Sequence, residues 1–273
     1  MATKNILITG VLGGMGLETA KAFLQKGYKV YGLDTKPACP IDIEYYKADL
    51  TDITQVEAVN EKIKSSCEGL DMICHFAGIY NMASLIEISE EDFIKIFNIN
   101  LFSQYRVNKV FFPLLKEGSK ILITSSELAP LNPLPFTGIY AITKSAVERY
   151  AQSLRMELNL RGIKVIVLRP GAVKTDMIGV STTALDKLCT TTTLYKTNTK
   201  RFKKIVDSVE AKNVAPSKIA KIAVKVEAKK HPKLTYNINR NPLLRLLNAL
   251  PQKWQVAIIK GILKPKKGQV TDL

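Results

Sequence analysis

The chain has 273 residues, 46% of them hydrophobic, and a formal net charge of +16 at neutral pH. That is apolar material for one large α/β core or two small ones. Two histidines, His75 and His231, and four cysteines without a CxxC pair speak against a zinc site and against a Ser/His/Asp triad.

The cysteines, Cys39, Cys67, Cys74 and Cys189, read as reduced thiols of a cytoplasmic protein. The N-terminal "MATKNILITGV" has neither the pattern of a signal peptide nor that of a span, and no later run reaches the roughly 18 apolar residues a membrane helix needs. The charge is uneven: residues 1–179 carry +1 and residues 180–273 carry +15. An anionic surface or ligand near the C-terminal third would explain it, and so would a solvated lysine-rich face.

In chain order, β-branched runs at 5–10, 29–34, 43–49, 71–78, 120–126 and 164–171 alternate with amphipathic stretches near 15–26, 54–64, 90–115 and 138–161. Apolar runs separated by helices predict an α/β fold, a doubly wound parallel sheet of about seven strands with helices on both faces. Ligands of such sheets sit at the carboxyl ends of the strands. The rhythm breaks at residues 175–212, threonine-rich and without a strand pattern, which reads as an irregular insertion serving as a substrate lid or loop. A helix near 215–230 and a last strand at 234–238 follow. No second domain is visible, so residues 1–273 are read as a single domain.

"LITGVLGGMGLETAKAF" places Thr9, Gly10, Gly14, Met15 and Gly16 at the turn from the first strand into the first helix. Glycines there let backbone approach a pyrophosphate, which the free N–H groups of the helix N-terminus stabilise. Asp34 ends the second strand; its carboxylate suits two ribose hydroxyls and repels a 2′-phosphate, which favours NAD(H) over NADP(H). Lys36 is a counter-signal, since it would neutralise that phosphate. Asp49, with Leu50 beside it, fits contact with an adenine amino group or, equally, the cap of a turn. "RPGAVKTDM" brings Pro170, Gly171, Val173 and Thr175 to the exit of the sixth strand, as a cofactor-facing segment or an ordinary turn.

"TGIYAITKSAVERY" sets Tyr140 and Lys144 four apart, on one face of a helix. A free phenol titrates near about 10, and a neighbouring ammonium with an oxidised nicotinamide would favour its ionised form. Such a phenol serves as proton donor and acceptor for an alcohol/ketone pair.

"TGVLGGMG", "YAITK" and "RPGAVKT", in this order, resemble the short-chain dehydrogenase/reductase family over roughly residues 4–176. The resemblance implies a Rossmann domain and an NAD(P)-dependent oxidoreductase acting on CH–OH groups, with Tyr140 as acid/base. Lys144 would then bind the nicotinamide ribose and lower the Tyr140 pKa. Ser126, with Ser125 as the alternative, would orient the substrate oxygen, and Asn100 would hold a water for proton relay. Ala77 and Gly78 would line the cofactor cleft, and the chain would form a homodimer or homotetramer. Two features depart from the family pattern. "CHFAG" carries Phe76 where an asparagine is usual, and the gap from "TSSE" to Tyr140 is one residue longer.

The segment 241–267 reads as a basic amphipathic extension of two short helices broken at Pro251. Leu243, Leu246, Leu247 and Leu250 share one face of the first; Trp254, Ile258 and Ile262 recur along the second beside Lys253, Lys260 and Lys264. Such a helix suits the surface of an anionic membrane, a neighbouring subunit or a covered substrate cleft. The leading expectation is hydride transfer between NAD(H) and a secondary alcohol or ketone, steroid- or lipid-like. The alternative is a non-catalytic NAD-binding sensor or scaffold. Nucleic acid is not an expected partner, because no binding motif accompanies the basic third and its aromatic residues are few.

Overall fold

The computed structural model describes residues 3–210 and 213–265, with backbone alone at 176–182 and 208–210. Residues 211–212 of the expected insertion and 266–267 of the expected extension lie outside the described residues.

Among the described residues seven strands form one sheet: β1 (Asn5–Thr9), β2 (Lys29–Asp34), β3 (Glu44–Lys47), β4 (Leu70–His75), β5 (Leu115–Thr124), β6 (Lys164–Pro170) and β7 (Thr235–Ile238). Their order is β3-β2-β1-β4-β5-β6-β7, and every pair is parallel. The helices are α1 (Gly14–Leu24), α2 (Ile53–Lys64), α3 (Glu90–Phe97), α4 (Ser103–Phe111), α5 (Gly138–Asn159), α6 (Asp176–Thr191), α7 (Lys196–Glu210), α8 (Pro216–Ala228), α9 (Pro242–Asn248) and α10 (Gln252–Leu263).

Strand side chains alternate between two buried faces, which is why the strands read as continuous apolar runs. In β1, Ile6 and Ile8 pack with Phe23 of α1 and Ile219 and Val226 of α8. Leu7, between them, points to the other face with Ile63 of α2 and Phe111 of α4. Further along that sheet, Ile121 and Val165 meet Val147 and Ala151 of α5. Each such Leu, Ile or Phe, taken from water, contributes about 1.5–3 kcal/mol. The chain leaves β1 toward β2 on one side and returns to β4 on the other, so their carboxyl ends diverge and open a crevice.

Two sequence expectations are corrected. The stretch 90–115 is not one helix: α3 passes into a π-helical turn at Asn98–Phe102 before α4, and Phe112–Leu114 is 3-10. The stretch 175–212 is not an irregular loop but contains α6 and α7. Its threonines hide the helical pattern because their hydroxyls bond back one turn, Thr191 to the Lys187 carbonyl (2.8 Å) and Thr199 to that of Tyr195 (3.0 Å). Leu185, Leu188 and Phe202 supply the buried face.

Glu87 closes the α6–α7 turn by accepting from the Thr192 hydroxyl (2.7 Å), the Thr193 amide (2.8 Å) and hydroxyl (2.9 Å), and the Leu194 amide (3.1 Å). Burial alone would raise its pKa, but these four donors outweigh it and hold the carboxyl at about 2. A depressed carboxyl stabilises the folded state fully above the ordinary carboxylate range, and the stabilisation fades as pH falls from about 4.5 toward 2. Amide protection factors at Thr193 and Leu194 are therefore expected to drop across that window in wild type, and to be low already at neutral pH in Glu87→Gln. Equal protection in both proteins at neutral pH would remove Glu87 from this role.

Candidate active site

The site begins at the turn after β1. Gly10 has φ 65°, and a Cβ there would lie 2.5 Å from the Ala77 nitrogen; a Cβ on Gly16 would lie 2.2 Å from the Gly10 carbonyl oxygen. The turn is that tight, and only glycine fits both places. Gly13 caps α1 without a side-chain bond, and the first turn of the helix carries no acidic residue. Its N–H groups therefore face a cleft of about 790 Å³ lined by Gly10, Gly14, Met15, Gly16 and Thr175. Thr175 packs against Gly14 across that cleft.

Asp34 lines the same cleft from the end of β2. Its carboxylate accepts from the amides of Leu12 (3.0 Å), Thr35 (2.8 Å) and Lys36 (3.3 Å), which fixes its position. Lys36 also lines the cleft. Asp49 is there too, with Leu50, but its carboxylate closes a turn onto the Thr51 amide and hydroxyl, both at 2.8 Å. Ala77 and Gly78 complete the wall at the exit of β4. Phe76, in place of an amide, is buried in the core and borders the cleft. Its neighbour His75 turns the other way, bonded through Nε2 to Asn108 Oδ1 (2.8 Å), and burial drives its pKa down to about 4.

Asn100 sits in the π-helical turn, fully buried. Its Oδ1 accepts from the Ile79 amide (2.8 Å), and its Nδ2 donates to the Ile79 carbonyl (3.0 Å) and Thr143 Oγ1 (3.1 Å). Both amide protons are thus taken by protein atoms. Gln104 caps the Asn100 carbonyl at 2.8 Å. A π turn presents side chains and carbonyls that a regular helix would stack, and here it lets Asn100 clamp the loop after β4.

Tyr140 and Lys144 lie one turn apart in the first half of α5, both nearly inaccessible. Lys144 Nζ donates to the Thr124 carbonyl (3.1 Å) and lies 5.7 Å from the Tyr140 ring centroid. Burial pushes the Tyr140 phenol up to about 12, with the Ser126 hydrogen bond pulling the other way. Burial takes the Lys144 ammonium down to about 8. The expected depression of the phenol is therefore not produced by the chain's own residues, because desolvation outweighs the Ser126 hydrogen bond.

The two serines separate cleanly. Ser126 faces the Tyr140 hydroxyl and accepts from the Leu128 amide (3.2 Å). Ser125 faces away, donating to Glu148 Oε1 (2.9 Å) and the Lys144 carbonyl (3.3 Å). Glu148 is in turn held by the fork of Arg169, whose Nε lies 2.6 Å from Oε1. The long loop between Ser126 and α5 closes through Phe136, a left-handed residue with φ 66°.

Ser126, Tyr140 and Lys144 line a second cavity, of about 230 Å³, whose walls are largely apolar. It shares Met15, Phe76, Gly78, Ile79, Tyr80 and Thr175 with the glycine cleft, so the two spaces meet. Pro170, Gly171 and Val173 line it from the exit of β6. The Val173–Val214 bridge uses the Ala172 carbonyl and Lys174 amide, which leaves Val173's own backbone groups pointing the opposite way.

Several residues of the site were not expected from sequence. The Tyr80 ring packs against Tyr140 at 4.6 Å between centroids, tilted by 59°, Thr124 holds Lys144 through its carbonyl, and Phe202, Val206 and Leu244 form cavity wall. Phe202 and Val206, four apart on α7, are a helical signal inside the stretch read as irregular. Nothing in the sequence marks a backbone carbonyl such as that of Thr124.

The glycine cleft fits a dinucleotide: an uncapped helix N-terminus for a diphosphate, a fixed carboxylate at the β2 end for a ribose, and a meeting point with the Tyr140 cavity. Among the described residues no cluster of metal ligands exists.

The family model for short chain dehydrogenases matches residues 4–186. The chain is 27% identical over 256 residues to a 3-ketodihydrosphingosine reductase of Bacteroides thetaiotaomicron, covering 93% of this chain and 94% of that one. It is also 27% identical over 270 residues to a probable short-chain type dehydrogenase/reductase, VdlC, of Helicobacter pylori, covering 96% and 98%. The crystal structure of a short chain dehydrogenase family protein from Francisella tularensis superposes with a TM-score of 0.72 at 24% identity, over 87% of this chain and 96% of that one, and shows the same fold. With its sheet, its glycine turn and its Tyr140–Lys144 helix, the chain belongs to the short-chain dehydrogenase/reductase family, oxidoreductases on an NAD(P)-binding Rossmann fold.

Proposed function

We propose that this protein interconverts a secondary alcohol and a ketone with NAD(H) as the hydride carrier. The observation that carries the proposal is the meeting of two spaces: a polar cleft suited to a dinucleotide, and an apolar cavity into which Ser126, Tyr140 and Lys144 converge.

The glycine cleft would hold the cofactor, with the α1 N-terminus at the diphosphate, Asp34 at the adenosine ribose, and Asp49 and Leu50 near the base. Bound there, the nicotinamide supplies or takes up hydride at the substrate carbon. Ser126 would hold the substrate oxygen by a hydrogen bond. Tyr140, whose phenol burial keeps protonated at neutral pH, would donate that proton to the oxygen as a carbonyl is reduced. In the reverse direction it accepts the proton. Lys144, whose ammonium is costly to bury, would be stabilised by the nicotinamide ribose hydroxyls as well as by Thr124. Asn100 would steady the loop that carries Gly78 and Ile79 at the cofactor. Any relayed water must use acceptor capacity, since its amide protons are engaged.

Asp34 favours NAD(H), because a 2′-phosphate would meet a carboxylate already fixed by three amides. The apolar walls favour a steroid- or lipid-like substrate, with α6 and α7 as its cover, since Phe202 and Val206 already form wall. Exposed Phe102, Tyr105 and Phe112 around α4 and Ile142 and Met156 on α5 suit burial in a homodimer or homotetramer. Four free thiols suit a cytoplasmic site.

Titration of the protein with NADH and with NADPH, followed by nicotinamide fluorescence, is expected to show tighter binding of NADH. Asp34→Ala should narrow or reverse that preference, and binding of neither nucleotide would end the proposal. In a screen of apolar secondary alcohols and ketones, Tyr140→Phe should lose about 10²-fold or more in turnover. Ser126→Ala should lose turnover with its nucleotide affinity intact, whereas Ser125→Ala should act mainly on thermal stability. A Tyr140→Phe protein that retains the full rate would instead favour the sensor reading.

A further inference from the structure

The cavity wall at Leu244 belongs to a helix that also turns leucines outward. On α9, Leu243 and Leu246 are 68% and 66% exposed, and on α10 Trp254, Ile258 and Ile262 are 62%, 39% and 47% exposed. The last three recur every four residues, so they form one stripe along α10. The opposite side of α10 is firmly held. Gln255 is buried and accepts from Asn132 Nδ2 (3.1 Å), Leu263 is buried, and the carbonyls of Leu263 and Lys264 accept from Asn198 (3.0 Å) and Arg201 (2.7 Å). The stripe is therefore exposed on a rigid element. It is not the loose face of a frayed end.

Along the segment that carries it the charge has one sign. Residues 241–265 contain Arg245, Lys253, Lys260 and Lys264 and no Asp or Glu. Arg201, which ties α7 to the end of α10, adds to it. An apolar stripe on a segment whose only charged side chains are cations fits a surface that is anionic above and apolar beneath. A second copy of this chain would bring the same uncompensated cations face to face.

We propose that α9 and α10 form a docking surface for a membrane rich in anionic lipid. Trp254, Ile258 and Ile262 enter the headgroup boundary while Lys253, Lys260 and Lys264 pair with lipid phosphates. None of the described helices is long and apolar enough to cross a bilayer, so the contact is peripheral. Docking brings the α9 wall of the apolar cavity to the bilayer, giving an apolar substrate a route that avoids water. That route rests on the oxidoreductase reading; the docking itself does not.

The chain has a single tryptophan, and it lies on the stripe. Full-length protein is mixed with vesicles of phosphatidylcholine alone or of phosphatidylcholine with phosphatidylglycerol, and Trp254 emission and co-sedimentation are recorded. The expected result is a blue shift and co-sedimentation with the phosphatidylglycerol vesicles only, weakening as salt rises. The double variant Ile258→Ser/Ile262→Ser should partition at least about tenfold more weakly while binding NADH as wild type does, which reports an intact fold. An unshifted Trp254 emission with no co-sedimentation overturns the proposal. So does an emission that is blue without lipid and moves red, with a fall in molecular mass, in the double variant; the stripe is then a contact between copies. NADH titration without vesicles tests the oxidoreductase reading separately, so either can fail alone.

Discussion

Covering both faces of a parallel sheet is the constraint on which the rest of this molecule depends. With α1 and α8 on one face and α2, α4 and α5 on the other, irregular backbone has room only at the strand ends. Every strand runs the same way, so the turns after β1, β2, β4, β5 and β6 all emerge at one edge. Glycines, Asp34, Gly78, Ser126 and Gly171 gather there although they are scattered over the sequence. The reversal of strand order between β1 and β4 opens the crevice that separates them.

Within that edge, burial governs electrostatics more than pairing does. Tyr140 and Lys144 are both desolvated, and each is pushed toward its neutral form, the phenol upward and the ammonium downward. Among the described residues, the lysine donates to the Thr124 carbonyl alone. A desolvated cation held by one carbonyl gains from hydroxyl oxygens placed beside it, because they replace the water it has lost. The energetic cost of forming the pocket thus becomes affinity for what fills it.

The strands and the helices α1, α2, α5 and α8 were legible in the sequence because their residues are apolar at the right period. The Tyr140–Lys144 pair was legible because four residues make one turn. What the sequence hid has physical reasons. α6 and α7 were masked by threonines that satisfy themselves within the helix. Whether Ser125 or Ser126 meets Tyr140 depends on which face each takes as β5 ends, and a one-residue shift reverses it. Asn100 was placed, but its engagement with Ile79 depends on a π turn that no periodicity announces. Asp49 kept both of its readings, since it lines the cleft while closing a turn.

The fork of Arg169 on Glu148 lies behind the site and lines neither cavity, yet it reaches the front through Ser125. Glu148 holds Ser125, Ser125 adjoins Ser126, and Lys144 and Glu148 share consecutive turns of α5. Breaking one partner of a buried pair strands the other charge, at a cost of about 3–5 kcal/mol. Here the loss would fall on the backbone that carries Ser126, Tyr140 and Lys144 at once. A change in the cavity wall would alter the shape of the cavity alone, while a conservative swap at position 169, which lines neither cavity, would disturb the packing beneath Ser125 and Lys144. The plasticity of this enzyme lies at its mouth, and its rigidity is bolted on from the rear.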